Sequence, residues 1–362
     1  MDFAAALPLA RTVLDRAADL RADPGILARA RRDPATRVLV VGGGELVVDA
    51  AGAAALLDPR TAARVVADGE HEGHDGGSDT TPDEEQWLLL GRDGDGESAA
   101  LVVARRVRRG RGAPRVGQAS DVLVHSSSPA DVSADEPAAL TPAGPVAAPA
   151  SSPTPAPGLR WVSLRDAGAD LPARDAGLAT MAVALDEWHA RHPRCPRCGA
   201  PTVPSQAGWV RVCTADGSEH YPRTDPAIIV AVVDDEDRVL LGHNAAWPAG
   251  RYSTLAGFVE AGESAEHAVR REVAEETAVV VDRVEYLGSQ PWPFPASLML
   301  AYRGHAARTE VTVDGVEVTQ ARWFSRDELA AAVVAGQVLL PMRTSVAYAL
   351  ITDWYGRPLP TA

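Results

Sequence analysis

The chain of 362 residues contains no lysine; all 35 of its basic side chains are arginine, a mark of composition rather than of function. It also lacks any apolar run approaching the ~18 residues of a membrane helix, so no membrane span is expected. The opening Met1-Asp2-Phe3-Ala4 has neither the basic flank nor the apolar core of a secretion signal. There are three cysteines, an odd number, and two of them form a C-x-x-C pair. That pattern suits a reducing compartment and a metal site better than disulfides, and it makes a cytoplasmic protein the expectation. The formal charge of −14 argues against a protein whose whole surface grips nucleic acid.

The length predicts two or three domains, and residues 1 to about 125 read as an irregular α+β region. Leu9, Val13 and Leu20 mark an apolar helical face in the first segment. Arg37 to Val41 reads as a strand ended by Gly42-Gly43-Gly44. Trp87 to Leu90 reads as a second strand, turning at Asp93-Gly94-Asp95-Gly96 to pair with Leu101 to Ala104. Two inserts interrupt this half. Glu70 to Glu85 carries seven carboxylates and no arginine, and Ser126 to Gly158 is built from Ser, Pro and Ala. Neither can bury enough apolar surface to offset chain ordering, so both are expected to be disordered, near 69–85 and 126–158. Asp175 to His189 turns helical, with Leu178, Met181, Leu185 and Trp188 on one face. From Ala227 onward strands are expected at Ala227 to Val233, Arg238 to Leu241 and near Val284, Leu298 and Arg322. Helices are expected at Ser264 to Glu276 and Met342 to Trp354.

The segment richest in chemistry is Gly257-Phe258-Val259-Glu260-Ala261-Gly262-Glu263 followed by Arg271-Glu272-Val273-Ala274-Glu275-Glu276. Ser264 is a reasonable helix N-cap. Glu272 and Glu276 are four apart and share a helix face, with Glu275 close by. Three such carboxylates repel unless a cation lies between them. Mg²⁺ or Mn²⁺ with a phosphate substrate fits that need, and Arg271 can orient a neighbouring carboxylate. The glutamates alone would equally fit a solvated acidic helix.

Read on to Val279, the segment resembles the Nudix box, G-x5-E-x7-R-E-U-x-E-E-x-G-U with U aliphatic. One position departs, with Ala278 where the pattern has glycine. The resemblance implies metal-assisted hydrolysis of a diphosphate, with Arg271, Glu272, Glu275 and Glu276 as the catalytic group. It also implies Glu272, Glu276 and the main-chain carbonyl of Ala256 as metal ligands. A second segment, Ser289-Gln290-Pro291-Trp292-Pro293-Phe294-Pro295-Ala296-Ser297, is similar to S-Q-P-W-P-F-P-x-S of the NADH pyrophosphatase branch. By itself it would pass for a Pro/aromatic surface turn. In that branch it implies that Gln290, Pro291, Trp292, Pro293, Phe294, Pro295, Ala296 and Ser297 line the substrate pocket. Phe258 would stack on a base, Glu317 would be a further metal ligand, and Ala347 would touch the nucleotide through its backbone. Tyr221 matches an aromatic that closes the nicotinamide pocket, often from the partner subunit of a homodimer.

Cys195, Cys198 and Cys213 match the same family's zinc ribbon, C-x2-C-x14-C-x2-C, with Asp216 in the fourth place. Three thiolates and one further ligand remain compatible with tetrahedral structural Zn²⁺. Asp216 keeps the register and His220 is the alternative. Arg105, Arg106, Arg108, Arg109, Arg111 and Arg115 crowd together, either a solvated run or a track for RNA phosphates. The expected organisation is an N-terminal α+β domain (1–190), a small zinc-ribbon-like module (191–223) and a C-terminal Nudix α/β/α sandwich (224–356). The resemblance implies hydrolysis of NAD(H) to NMN(H) and AMP. Alternatives are removal of NAD caps from RNA 5′ ends at the same site, or a catalytically inactive nucleotide- or RNA-binding module.

Overall fold

The computed structural model describes residues 3–11, 14–70, 86–94, 99–107 and 157–361. Most of the acidic insert with His71 and His74, and the stretch holding Arg108, Arg109, Arg111, Arg115 and nearly all of the Ser/Pro/Ala segment, lie outside those residues.

The described residues among the first 36 do not form the expected amphipathic helix, and Val13, one of its markers, lies outside them. They make α1 (Phe3–Ala6), two 3-10 turns and the five-residue α2 (Ile26–Ala30). The segment is instead anchored residue by residue: Leu7 and Leu9 are fully buried in the main core. β1 (Arg37–Gly42) and β2 (Glu45–Val48) follow as a hairpin whose two-residue turn, Gly43-Gly44, has positive φ at both positions (61° and 84°). This is the geometry that matches strand twist and that glycine adopts freely. α3 (Pro59–Glu70) is capped by Asp58, which accepts from the N–H groups of Arg60 and Thr61. The helix therefore takes the first residues of the expected acidic insert. β3 (Trp87–Asp93) and β4 (Ala100–Arg106) pair antiparallel as expected, and β4 runs parallel to β1. β5 (Arg160–Ser163), α4 (Leu164–Ala167) and α5 (Ala173–Arg191) complete this half.

Its sheet has the order β3-β4-β1-β2-β5. β1 reads as a continuous apolar run because both faces are covered. Val38 and Val40 pack toward α3, whereas Leu39 and Val41 join the core that contains α5. The single apolar face expected for α5 is too narrow a reading. Every residue from Asp175 to Val183 is buried, because the helix lies between the N-terminal sheet and the C-terminal half in one shared core.

β6 (Thr202–Ser205), β7 (Val210–Cys213) and β8 (Glu219–His220) form a small antiparallel sheet. The C-terminal half follows: β9 (Asp225–Val233), β10 (Val239–Asn244), β11 (Leu255–Phe258), α6 (Ala265–Thr277), β12 (Val280–Trp292), β13 (Ser297–Arg308), β14 (Val318–Phe324), α7 (Arg326–Val334) and α8 (Val346–Tyr355). α8 starts four residues later than expected, at the Ser345 cap. The sheet order is β12-β13-β9-β10-β14, with β11 also on β9 and β13 parallel to β9. Alternation along β9 sends Ile228, Val230 and Val232 toward α6, and Ala227, Ile229 and Ala231 toward α8. The result is an α/β/α sandwich.

Candidate active site

β11 delivers Ala256, Gly257 and Phe258 to the end of α6. A Cβ on Gly257 would stand 1.8 Å from Cδ of Glu272, so only glycine lets that carboxylate pack against the strand. Ser264 caps α6, accepting from the His267 N–H at 3.2 Å. At the other end Ala278 adopts the left-handed conformation (φ 58°) and its N–H reaches the Ala274 carbonyl. The loop shape is kept, and alanine carries the strain that glycine would avoid.

Arg271 is the hub. Its guanidinium donates to both oxygens of Glu263 (2.9 and 2.8 Å), to Glu275 (3.0 Å) and to the Phe258 carbonyl (2.9 Å), and it pairs with Glu272 at 2.9 Å. Those bonds hold the Glu263 carboxyl down at about 2 and raise the arginine. Glu272 is pushed above the ordinary carboxylate value by burial, against the pull of Arg271. Glu276 is pushed well above it, first by burial and then by the charges of Glu272, Glu317, Asp314 and Glu275. Its Oε2 is buried and has no hydrogen-bond partner among the described residues.

Glu272, Glu317, Asp314 and Glu275 thus stand near enough for their charges to act on Glu276, but among the described residues only the cysteine group has its ligand atoms closely clustered; the oxygen donors, their mutual repulsion and the orphaned buried oxygen fit a divalent cation. Ala256 is the buried residue beside Gly257. Glu317 stands at the entry of β14, on a turn built by Asp314, whose carboxylate accepts from the N–H groups of Val316, Glu317 and Val318. Asp314 was not singled out in the sequence; the Asp-Gly pair before a strand was its signal.

The Pro/aromatic segment is half strand and half turn. Gln290, Pro291 and Trp292 end β12 and pair with Met299, Leu298 and Ser297. β12 is an edge strand, which tolerates Pro291. Pro293 to Ala296 turn through a cis Phe294–Pro295 bond. The aromatic faces of this segment are not all open. Trp292 is 2% exposed and packs edge-on against Phe294, with centroids 5.0 Å apart. Gln290 is fully buried, and its amide is spent on the Leu9 N–H (2.9 Å) and the Thr344 carbonyl (3.0 Å). Ala347 is likewise fully buried, its N–H given to Ser345 Oγ. Phe258 and Phe294 remain partly open at the edge of the same core. Tyr221 stands 62% exposed, its hydroxyl donating to Glu219.

One contributor comes from the other half. The Arg165 guanidinium, on α4, lies 4.7 Å from the Phe294 ring centroid and 5.6 Å from that of Trp292. Desolvation lowers its pKa, and it makes no ion pair among the described residues. A lone arginine in Ser163-Leu164-Arg165-Asp166 carries no sequence signal; its meaning comes from what it faces.

In the small sheet the ligand atoms of Cys195, Cys198, Cys213 and Asp216 all lie within 4.8 Å of one another, which suits one tetrahedral ion. Backbone N–H groups of Arg197 and Ala215 point at Cys195 and Cys213 sulfurs, each at 3.4 Å. His220 is outside this group and approaches Ser218 Oγ instead, at 3.2 Å.

Comparison with known proteins gives three matching family models. The NUDIX domain matches residues 223–341, the NADH pyrophosphatase zinc ribbon domain 190–221, and the NADH pyrophosphatase-like rudimentary NUDIX domain 35–188. The NAD-capped RNA hydrolase NudC of Mycobacterium bovis (strain BCG / Pasteur 1173P2) is 44% identical over 204 residues, 53% of this chain and 64% of that protein. The human NAD-capped RNA hydrolase NUDT12 is 37% identical over 196 residues, 51% of this chain and 42% of that protein. Among solved structures, a NUDIX hydrolase from Nitrosomonas europaea aligns with a TM-score of 0.34 and 21% identity, covering 46% of this chain and 95% of that one. The three family models follow one another along most of the chain, which matches the NUDIX domain at residues 223–341 and is similar to NADH pyrophosphatases in the two segments before it; it spans less than two thirds of the length of these curated relatives.

Proposed function

We propose that this chain hydrolyses the pyrophosphate link of NAD(H), giving NMN(H) and AMP. The observation that carries the reading is Glu276: a buried carboxylate with an unpartnered oxygen, surrounded by like charges, inside the segment that matches the NUDIX domain. Glu272, Glu276, Glu317 and the Ala256 carbonyl would hold the cation, Mg²⁺ or Mn²⁺, which supplies positive charge for the diphosphate and the attacking water. Arg271 keeps Glu272 and Glu275 in place through the contacts above. Glu275, with 60% of its side chain exposed, is the accessible carboxylate and can take the water's proton. Water oxygen joins one phosphorus, the bridging oxygen leaves with the other phosphate, and two monophosphates result. Phe258 and Phe294 offer partly open rings for a base, and Arg165 a charge for a phosphate.

The reading includes three domains at 1–190, 191–223 and 224–356. It includes structural Zn²⁺ on Cys195, Cys198, Cys213 and Asp216, and a homodimer in which exposed Tyr221 closes the partner's pocket. No helix among the described residues is long and apolar enough to cross a membrane, in keeping with a cytoplasmic enzyme. The test is product analysis after incubation with NADH and Mg²⁺ or Mn²⁺, beside Glu276→Gln. NMNH and AMP from the wild type alone support the assignment; no cleavage by folded protein with either metal overturns it.

A second reading, removal of NAD caps from RNA, is favoured by the names of the relatives and by the unpaired Arg165 beside the Pro/aromatic turn. The ratio of kcat/KM for NAD-capped RNA and free NADH ranks the two. The inactive binding module is disfavoured, since a site without a cation has no reason to bury carboxylates that repel one another.

A further inference from the structure

Away from the glutamate helix, a cavity of about 440 Å³ opens between α2, the edge strand β3 and the β6–β7 hairpin. Arg21, Arg31 and Trp87 form its polar wall; Leu27, Val203 and Pro204 are among its apolar residues. Arg21 is held flat, its guanidinium carbon 3.6 Å above the Trp209 ring. Its Nε is buried without a partner, and the hydrogen bond recorded for its NH2 is to the Arg16 carbonyl. Burial and the nearby Arg16 charge both lower its pKa, and it makes no ion pair among the described residues. The acid in the lining, Asp23, is already engaged by Arg29 and the Gly25 N–H. Trp87 Nε1 is a second buried donor without an acceptor.

The opposite wall is strained. Gln206 and Ala207 both have positive φ (47° and 51°), a conformation that costs non-glycine residues of order 1–3 kcal/mol each and persists only where surroundings impose it. Here Gly208 packs on Leu88 so closely that a Cβ would stand 2.4 Å from it, and the Trp209 indole N–H donates to the Leu89 carbonyl at 2.8 Å. Unanswered donors and a desolvated cation beside an apolar wall call for an anion with acceptor oxygens and a flat body. The volume lies within the range of about 300–1,000 Å³ typical of small-ligand sites.

We propose that this cleft binds a nucleotide, its phosphate on Arg21 and its base on the apolar wall. The reading rests on the chemistry proposed above only for the choice of ligand. The occupant could be a residue of an RNA chain or a free nucleotide; its position favours the chain. β3 and β5 are the two edges of the N-terminal sheet, and β5 leads into Arg165. Four spacings of ~4.8 Å put roughly 19 Å between those edges. A strand whose 5′ end lies by Arg165 can therefore bring a later nucleotide to Arg21.

The test uses the full chain and a fluorescent RNA octamer with a 5′ monophosphate, which holds no diphosphate to cleave. Arg21→Met keeps the stem on Trp209 and removes the charge; Ala22→Glu adds an anion at the exposed rim. Each is expected to weaken RNA binding about tenfold, and Arg21→Met to reduce the salt slope by about 1, with NADH hydrolysis and Tm unchanged. Calorimetry with AMP separates the sources: AMP binding weakened by the same variants identifies a free nucleotide, and loss confined to RNA identifies a strand. Should Arg21→Met fold poorly, Ala22→Glu decides. RNA and AMP affinities untouched in a folded variant would overturn the proposal, and because binding is read without hydrolysis, that result leaves the catalytic assignment standing.

Discussion

Two helices of the chain, α5 in the N-terminal half and α6 in the C-terminal half, treat buried carboxylates in opposite ways. In the N-terminal half, α5 buries Asp175 and Asp186. Asp175 accepts from the Ala54 N–H and from Arg174, both at 3.1 Å, and Asp186 accepts from Arg106 at 2.8 Å and the Gly43 N–H at 3.1 Å. Each charge is answered by a donor from a different element, so each ties the helix to its sheet. In the C-terminal half, α6 buries Glu272 and Glu276 side by side, and the second has an oxygen with no donor among the described residues. Both helices lie against sheets of similar build. What separates scaffold from reaction centre is whether the fold satisfies its own acids.

Removing one acid from each helix should pull stability and activity in opposite directions. Glu276→Gln takes away a repelled carboxylate and a cation ligand. We expect kcat to fall by about 10³ or more, about 4 kcal/mol in the barrier, while the Tm of metal-free protein stays or rises; a lower Tm would make Glu276 a structural residue after all. Asp186→Asn is the mirror case. Weakening a buried charge-assisted pair is expected to cost about 2–3 kcal/mol, visible in urea unfolding, with kcat in folded protein unchanged. A smaller effect of about 1 kcal/mol is expected from Ala278→Gly, which relieves the positive φ at the end of α6; a stability gain without a change in kcat confirms that the alanine is tolerated strain. The smallest effect concerns pH. His305 is raised above its ordinary 6.5 by Asp282 and Asp235. Its stabilisation is therefore complete below the unfolded value and fades as pH rises through the folded one. The Tm gap between wild type and His305→Gln should be present near pH 5.5 and close by about pH 8.5, and a gap that widens with pH would contradict the ion pairs.

The glutamate helix was legible in the sequence because its carboxylates stand at fixed spacings along one element. So were the paired strands around it, whose alternation reflects two covered faces. The first 36 residues were not, because their short turns are held by single anchors such as Leu9, which leave no period to read. The Pro/aromatic segment was found by pattern but misjudged in exposure: tertiary packing buries Trp292 and consumes the Gln290 amide. Arg165 was missed for a related reason, since its place over Phe294 depends on how two distant halves meet. Asp216 lies with the three cysteines, as its place in the register led one to expect, because short-range spacing governs that position.

The Gln290 amide has one more implication. One of its atoms grips the N-terminal segment at Leu9 and the other grips Thr344, just ahead of α8. The Pro/aromatic turn is thus fastened to both extremities of the described chain, like a knot joining two loose ends of a cord. A catalytic half cut free at its boundary would leave that amide half unpaired and the turn slack. Swapping this segment between relatives to move specificity would have to carry along residues some 280 positions away, counting from Leu9 to Gln290. The proposed reaction centre is local, whereas the proposed recognition wall depends on both ends of the described chain.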